Sequence, residues 1–349
     1  MPSFGKNKMK AAVHNPYWGS YGGGERYSAA LIRLLLDHHW QVDIDWPKDI
    51  SQDIKNRFDI DLSGSNFIRH LKPSANYDVL FWLSDGSLPV SLARRTFIHM
   101  QFPFTDIGGK APLNYLKSRL YTFVVNSRFT KQHIDSEFKV DSKVVYPPVE
   151  VEKFHPGKKE KIILFVGRFS NTAQMKNHDL LVSSFKEVHK RLPGWKLILA
   201  GGVQGDTSRE YAENLTKMAK GLPISIITNP DFEEIKSLYA KAKIFWSASG
   251  FSSDPELPIR QEHFGITVVE AMASGCVPVV CALGGHREIV DHTRDGFLWS
   301  SLSDMQDITV SLSQNPKLIS AVSEAALVKS RDFSTTVFNK QFSDLLQLS

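Results

Sequence analysis

Short runs rich in Val, Ile and Phe alternate with longer segments of helical spacing, and the alternation occurs twice along the chain. In the front half the runs cover residues 10–14, 41–46, 77–83, 96–99, 121–125 and 143–146; in the back half they cover 161–166, 196–200, 224–227, 244–247, 277–281 and 297–299. The segment 27–38 between two of them has apolar residues at helical period. Residues 162–166 (Ile-Ile-Leu-Phe-Val) are apolar at every position rather than at alternate ones. That pattern predicts strands covered on both faces, as in parallel sheets flanked by helices. The chain is therefore read as α/β with two domains of similar build, and 349 residues are more than one core usually organises. Open parallel sheets take ligands outside the carboxyl ends of their strands, so two such domains facing each other predict a cleft with chemistry on the loops after strands.

The proline-marked stretches Tyr146-Pro147-Pro148-Val149 and Phe154-His155-Pro156-Gly157-Lys158-Lys159 read as a linker. The expected domains are thus 1–155 and 156–332. Residues 333–349, with Val337, Phe338, Phe342, Leu345 and Leu346 at helical spacing, form a closing helix. Lys340 stands almost alone on its polar side, which favours packing on the body over membrane binding.

Composition removes several classes. With 23% charged residues, 11% aromatics, 22 Gly and 17 Pro, the chain is neither low-complexity nor coiled-coil. Cys276 and Cys281 are its two cysteines; five residues apart on one expected strand, they make no disulfide and no cysteine metal site. The start, with Lys6, Lys8 and Lys10, leads into no apolar region of signal-peptide length, and no apolar run reaches about 18 residues. The expectation is a cytoplasmic chain. The first 150 residues hold 19 Lys and Arg against 15 Asp and Glu, a mild basic bias. It suits a phosphate-bearing substrate or peripheral contact of this domain with a lipid surface, and is too diffuse for nucleic acid.

Three loops carry the residue types that chemistry needs. The first, Gly22-Gly23-Gly24-Glu25-Arg26, precedes a helical run, where glycine backbone and helix N–H groups approach an anion or sugar closely; a flexible turn is the plain alternative. It lacks the third glycine of a dinucleotide fingerprint, although Asp43 and Asp45 follow about 20 residues on. The pairs Asp43-Ile44-Asp45 and Asp59-Ile60-Asp61 are read as surface or strand-end carboxylates, not as a metal site. The second loop, Gly167-Arg168-Phe169-Ser170 and then Met175-Lys176-Asn177-His178 before a helix at 179–192, sets two cations at one strand-to-helix connection, suited to clamping a diphosphate.

The third runs from Glu262-His263-Phe264-Gly265 through Ile266-Thr267-Val268-Val269-Glu270 to Gly275. Here Thr267-x-x-Glu270 reads as a capping box, with Val268, Ala271 and Met272 packed inward. That explains Glu270 without a ligand, but neither Glu262 nor Gly265.

The segment resembles the glutamate-x7-glutamate motif of the retaining GT-B glycosyltransferases, specifically glycosyltransferase family 4. The pieces Gly22-Gly23-Gly24-Glu25-Arg26, Val125-Asn126-Ser127-Arg128-Phe129-Thr130, Tyr146-Pro147-Pro148-Val149, Phe154-His155-Pro156, Gly167-Arg168-Phe169 with Lys176-Asn177, Leu199-Ala200-Gly201 and Gly284-Gly285-x-x-Glu288-Ile289-Val290 extend it over nearly the whole chain. The resemblance implies two Rossmann-like domains facing across a cleft and a retaining hexosyltransferase. Its substrate would be a GDP- or UDP-linked sugar, its acceptor a saccharide or lipid-linked molecule, and it would need neither metal nor cofactor. Glu270 would hold the ribose hydroxyls and Glu262 those of the donor sugar. Arg168 and Lys176 would neutralise the diphosphate with backbone N–H groups of Gly265, Ile266 and Thr267; Gly23 and Gly24 would close over the phosphates, and His99 would sit near the anomeric carbon.

Glu-His-Phe-Gly-Ile and Gly-Gly-Gly-Glu-Arg are similar to mannosyltransferases that extend lipid-linked oligosaccharides from GDP-mannose. Residues 249–261 are longer than the approach to Glu262 requires, and His263 stands where many members have another residue. Two alternatives stay open: a non-catalytic sugar-nucleotide-binding partner subunit of the same fold, and an NAD-dependent oxidoreductase or epimerase. The second lacks the third glycine and any suitably placed Tyr-x-x-x-Lys pair. No P-loop sequence occurs.

Overall fold

The computed structural model describes residues 8–20, 22–170, 176–252, 254 and 256–348; Lys6, Tyr21, Met175, Ser253 and Pro255 lie outside them. The chain forms two compact units, Met1–Pro148 with Thr335–Ser349, and Val149–Ser334.

The first unit runs β1 (Lys10–His14), α1 (Gly23–Asp37), β2 (Gln41–Asp45), α2 (Ser51–Phe58), β3 (Ser65–Ile68), β4 (Val79–Leu83), β5 (Arg95–Met100), α3 (Pro112–Ser118), β6 (Thr122–Val125), α4 (Arg128–Phe138) and β7 (Lys143–Val144). Its strands pair in parallel in the order β3-β2-β1-β4-β5-β6-β7. The apolar runs become strands because both faces are buried: Val79, Phe81 and Leu83 face a core completed by α1, whereas Ile98, Met100, Phe123 and Val125 face one completed by α4. The strand β3 is not legible in the sequence. Ser-Asn-Phe-Ile at a half-exposed edge carries no continuous apolar run.

The second unit runs β8 (Glu160–Val166), α5 (His178–Val188), β9 (Lys196–Gly201), α6 (Gly205–Met218), β10 (Ile224–Thr228), α7 (Phe232–Lys241), β11 (Ala242–Ser247), α8 (Ile266–Ala273), β12 (Val277–Cys281), α9 (His286–Ile289), β13 (Phe297–Trp299), α10 (Leu302–Gln314) and α11 (Pro316–Ser330). All its strand pairs are parallel, in the order β10-β9-β8-β11-β12-β13. Cys276 precedes β12, so the two cysteines do not share the strand; both are buried free thiols.

The units divide at Pro148 and Val149, ahead of the boundary at 155 that proline and charge imply. The reason is packing. Val151 and Phe154 are buried in the second unit, with the Phe154 ring edge-on to Tyr239 at 5.7 Å. The last helix, α12 (Thr335–Leu346), lays Phe338, Phe342 and Leu346 into the first unit's core, where Tyr27 meets the Phe338 ring at 5.0 Å. Arg95 donates to the carbonyl of Leu346 at 3.3 Å, placing a cation at the negative end of that helix.

Candidate active site

The central strands β8, β11 and β12 of the second unit end in three loops whose backbones pack directly on one another. After β8, Gly167 N–H donates to Ala200 O at 2.9 Å and Phe169 N–H to Gly202 O at 2.9 Å, which ties the turn to the end of β9. A Cβ on Gly201 would fall on the Gly167 carbonyl oxygen, so glycine is required there by close approach. The buried Phe169 ring stacks on His178 at 4.6 Å, and His178 Nε2 donates to Gly167 O at 3.3 Å. This fixed turn carries Arg168, which is exposed.

Lys176 lies against the same turn: its Cγ is 3.6 Å from where a Gly167 Cβ would stand. Its ammonium is 2.6 Å from Glu262 Oε2, with both side chains largely buried. The next residue, Asn177, adopts a left-handed conformation (φ 53°) and donates from Nδ2 to Ala248 O at 2.7 Å and Phe251 O at 2.9 Å. Those bonds hold the cation loop to the loop after β11. The Glu262 backbone is clamped in turn: Gly285 N–H donates to Glu262 O at 2.8 Å, and a Cβ on Gly250 would stand 2.7 Å from Gln261 Cα. Gly284, at φ +54°, also leaves room only for hydrogen beside Glu262 O. Burial opposes ionisation of Glu262, but the Lys176 ammonium and the nearby imidazole of His286 outweigh it and hold the carboxyl down at about 2. The site thus keeps a carboxylate and a cation side by side.

The helix α8 follows at once, and it corrects the capping-box reading. Its N-cap is Gly265 at φ +119°, with no side-chain cap, so Thr267 lies inside the first turn. The bond from Val268 N–H to Gly265 O at 3.0 Å leaves the N–H groups of Ile266 and Thr267 with no acceptor among the described residues. Glu270 is therefore not spent on the helix start. It is 8% exposed, and its Oε2 accepts from the buried Tyr239 hydroxyl at 3.1 Å.

The structure thus brings Arg168, Lys176, Glu262, Gly265, Ile266 and Thr267 to one edge of the second unit's sheet, with Glu270 one helical turn on. Sequence reasoning passed over Tyr239, His178 and His286, whose signals were single polar residues in apolar contexts. Asn177 was legible as part of Lys-Asn, but not its role in joining two loops.

In the first unit, α1 begins at Gly23, but the buried Glu25 carboxylate already accepts from Gly22 N–H at 2.7 Å and from Ser20 Oγ at 2.8 Å. Gly23 is exposed, and Gly24 faces the side chain of Gln101, whose Cδ is 2.9 Å from a Gly24 Cβ position. His99 is fully buried. Its ring stacks on Tyr27 at 3.9 Å and its Nδ1 donates to Val124 O at 3.2 Å, while Nε2 has no partner among the described residues. The half-buried Gln101 follows two residues on, after the same strand.

Desolvation lowers His99 and His178 to about 3 and lowers His286 as well. The unfolded chain takes up these protons near 6.5 while the folded one does not, so stability is expected to fall as pH drops from about 6.5 toward 3. Denaturant titrations of wild type and His99→Phe check this. The variant is expected to show a shallower slope in that window, and equal slopes contradict the account.

Asp43 pairs with Lys10 at 2.8 Å and accepts from Tyr77 OH at 2.7 Å, while Asp45 pairs with His14 at 2.7 Å. Among the described residues no group of three or more His, Cys, Asp or Glu is placed to hold a metal, and no helix is long and apolar enough to cross a membrane. The loop at 249–261 anchors both its ends in the site, through Phe251 O and Gln261, and exposes Leu257 and Ile259 between them.

Residues 149–315 match the family described as glycosyl transferases group 1. A GDP-Man:Man(3)GlcNAc(2)-PP-Dol alpha-1,2-mannosyltransferase of Dictyostelium discoideum is 29% identical over 63% of this chain and 45% of its own length. The mannosylfructose-phosphate synthase of Agrobacterium fabrum is 28% identical over 86% of this chain and 59% of its own. The chain spans about half the length of the first of these relatives. Among solved structures, a glycosyltransferase from Rickettsia africae superposes with TM-score 0.78 at 18% identity, covering 98% of both chains. Anabaena HepE, solved with UDP and glucose, superposes with TM-score 0.73 at 16% identity, covering 97% of this chain and 99% of its own. By sequence the second unit matches the group 1 glycosyl transferases over residues 149–315, and by fold the two parallel-sheet units have the GT-B architecture.

Proposed function

We propose that the chain is a retaining hexosyltransferase that takes its sugar from a nucleoside diphosphate donor, GDP-mannose being the favoured one. The observation that carries this reading is the Lys176–Glu262 pair beside the exposed Arg168 and the open N–H groups of α8, all at the carboxyl edge of one parallel sheet. As the glycosidic bond breaks, charge accumulates on the diphosphate, and fixed cations and helix-end amides stabilise that charge most in the transition state. Arg168 and Lys176 are assigned to the diphosphate, with Gly265, Ile266 and Thr267 supplying backbone donors. Glu262, held ionised, accepts from donor-sugar hydroxyls and steadies the cationic sugar. Glu270 is assigned to the ribose, its second oxygen oriented by Tyr239. In the first unit, exposed Gly23 with Gly24 and Gln101 forms a polar surface at the start of α1 suited to a sugar or phosphate group.

The mannosyltransferase names of the sequence relatives support mannose and GDP; the UDP and glucose in HepE support the wider nucleotide-sugar class. The acceptor assigned is a saccharide or lipid-linked oligosaccharide, and no metal enters the assigned chemistry.

Calorimetry and turnover of labelled GDP-mannose, UDP-glucose and UDP-mannose test the reading. GDP-mannose is expected to bind and to be consumed, and Glu270→Ala to weaken binding by at least about tenfold, the loss of one charge-assisted hydrogen-bond pair. Absence of binding to every sugar nucleotide, or unchanged affinity in Glu270→Ala, overturns it. Binding without turnover across a broad acceptor panel assigns the chain to the non-catalytic subunit class.

A further inference from the structure

The first sheet reverses its direction of growth between β1 and β4. From β1 the chain builds outward through β2 and β3, then returns to pair β4 on the other side of β1. At such a point in an open parallel sheet the connections leave in opposite directions, which opens a crevice outside the carboxyl ends of the two strands. His14 is the last residue of β1, in register with Asp45 at the end of β2 and with Trp82 of β4.

The His14 ring is fixed on two sides. Trp82 stacks on it with 3.5 Å between ring centroids, and Asp45 Oδ2 lies 2.7 Å from Nδ1. Asp45 is itself held, since its Oδ1 accepts from Leu71 N–H at 3.1 Å. A carboxylate only accepts, so in the neutral ring the bond to Asp45 puts the proton on Nδ1 and leaves Nε2 with its lone pair. Nε2 has no partner among the described residues, and the side chain keeps 19% of its surface exposed. An oriented imidazole with an open acceptor nitrogen is suited to receive a hydroxyl.

The charge beside it decides what kind of molecule carries that hydroxyl. Asp85 lies two residues beyond the end of β4; the Ser87 hydroxyl first, and the His14 imidazole as a lesser influence, hold its carboxyl below the usual range. Burial first, and then the charges of Asp85 and Glu25, raise Tyr17, which therefore shares the neighbourhood. Carboxylates on both sides of one imidazole repel a phosphate at this place, whatever the basic bias of the unit as a whole, and accept from uncharged hydroxyls.

We propose that His14, oriented by Asp45, receives the acceptor's hydroxyl, and that the acceptor presents an uncharged sugar there rather than a phosphate. The inference rests on the transferase reading and gives that reaction's second substrate a contact on the first unit.

Transfer from labelled GDP-mannose to methyl α-mannoside and to its 6-phosphate, with donor affinity measured by calorimetry, tests it. The uncharged glycoside is expected to show kcat/KM at least about tenfold higher than the phosphate. His14→Phe keeps a ring on Trp82 but has no acceptor nitrogen. Asp45→Asn offers Nδ1 an amide donor, which drives the ring proton to Nε2. Each is expected to lower kcat/KM for the glycoside by about tenfold or more with donor affinity unchanged, and His14→Gln, whose amide oxygen reaches the Nε2 position, to recover part of the loss. Nitrogen NMR shifts of the imidazole read the tautomer without any substrate; a neutral wild-type ring protonated at Nε2 overturns the proposal. Wild type that binds no sugar nucleotide overturns the transferase reading and this inference with it. Where wild type binds donor, failure to use the uncharged glycoside, preference for the phosphate, or unchanged kcat/KM in His14→Phe overturns this inference alone.

Discussion

Lys176→Ala is expected to lower turnover by about 10²–10³, the cost of deleting one preplaced donor to developing negative charge. Two effects add in this variant. The diphosphate loses the cation nearest the fixed turn at Gly167, and Glu262 loses its partner at 2.6 Å. A largely buried carboxylate without its cation destabilises the fold by about 2–3 kcal/mol, below the range for fully buried pairs because each partner keeps some exposed surface. Denaturant melts measure that part separately, and single-turnover rates at saturating donor measure the chemical part. Lys176→Arg, which keeps the charge but not the compact head, is expected to retain stability better than activity. A turnover loss below about tenfold in Lys176→Ala contradicts the assignment.

Gly201→Ala is expected to destabilise the second unit by about 3 kcal/mol, at the upper end of overpacking costs. The added methyl lands on the Gly167 carbonyl oxygen, a backbone atom that cannot rotate away. That carbonyl is fixed by His178 and by the bonds from Gly167 and Phe169 to β9, so any yielding displaces Arg168 as well. For a unit of this size the shift is about 6–12 °C in Tm, read by calorimetry. An unchanged Tm refutes the close-approach account of this glycine. Surviving protein is expected to bind donor more weakly, because the turn and the Lys176 stem move together.

Among the described residues, twelve of the thirteen strands stand where apolar runs predict them, and in inner strands such as β5 and β12 the run is buried almost throughout. The exception, β3, is an edge strand whose Ser-Asn-Phe-Ile carries no continuous apolar run. The order of loops was legible for a related reason: glycine and proline mark the strand ends, and the candidate residues lie beside them. What failed was local inference about single side chains. Thr267-x-x-Glu270 satisfies the sequence rule for a capping box, yet Gly265 in a left-handed conformation starts the helix two residues earlier. Nor did sequence show that His99, near the end of β5, is fully buried with its ring stacked on Tyr27.

Alternation of apolar and helical segments, and the residue types at strand ends, settled by themselves that two parallel-sheet units form and which loops hold cations and carboxylates. Only tertiary structure decided that Lys176 meets Glu262 across 86 residues of sequence, that Glu270 is oriented by Tyr239, and that the unit boundary lies at Pro148. The difference is physical. Strand burial is a property of a short stretch and its neighbours in sequence, whereas an ion pair or a backbone close approach depends on how separate loops stack, which no local pattern encodes.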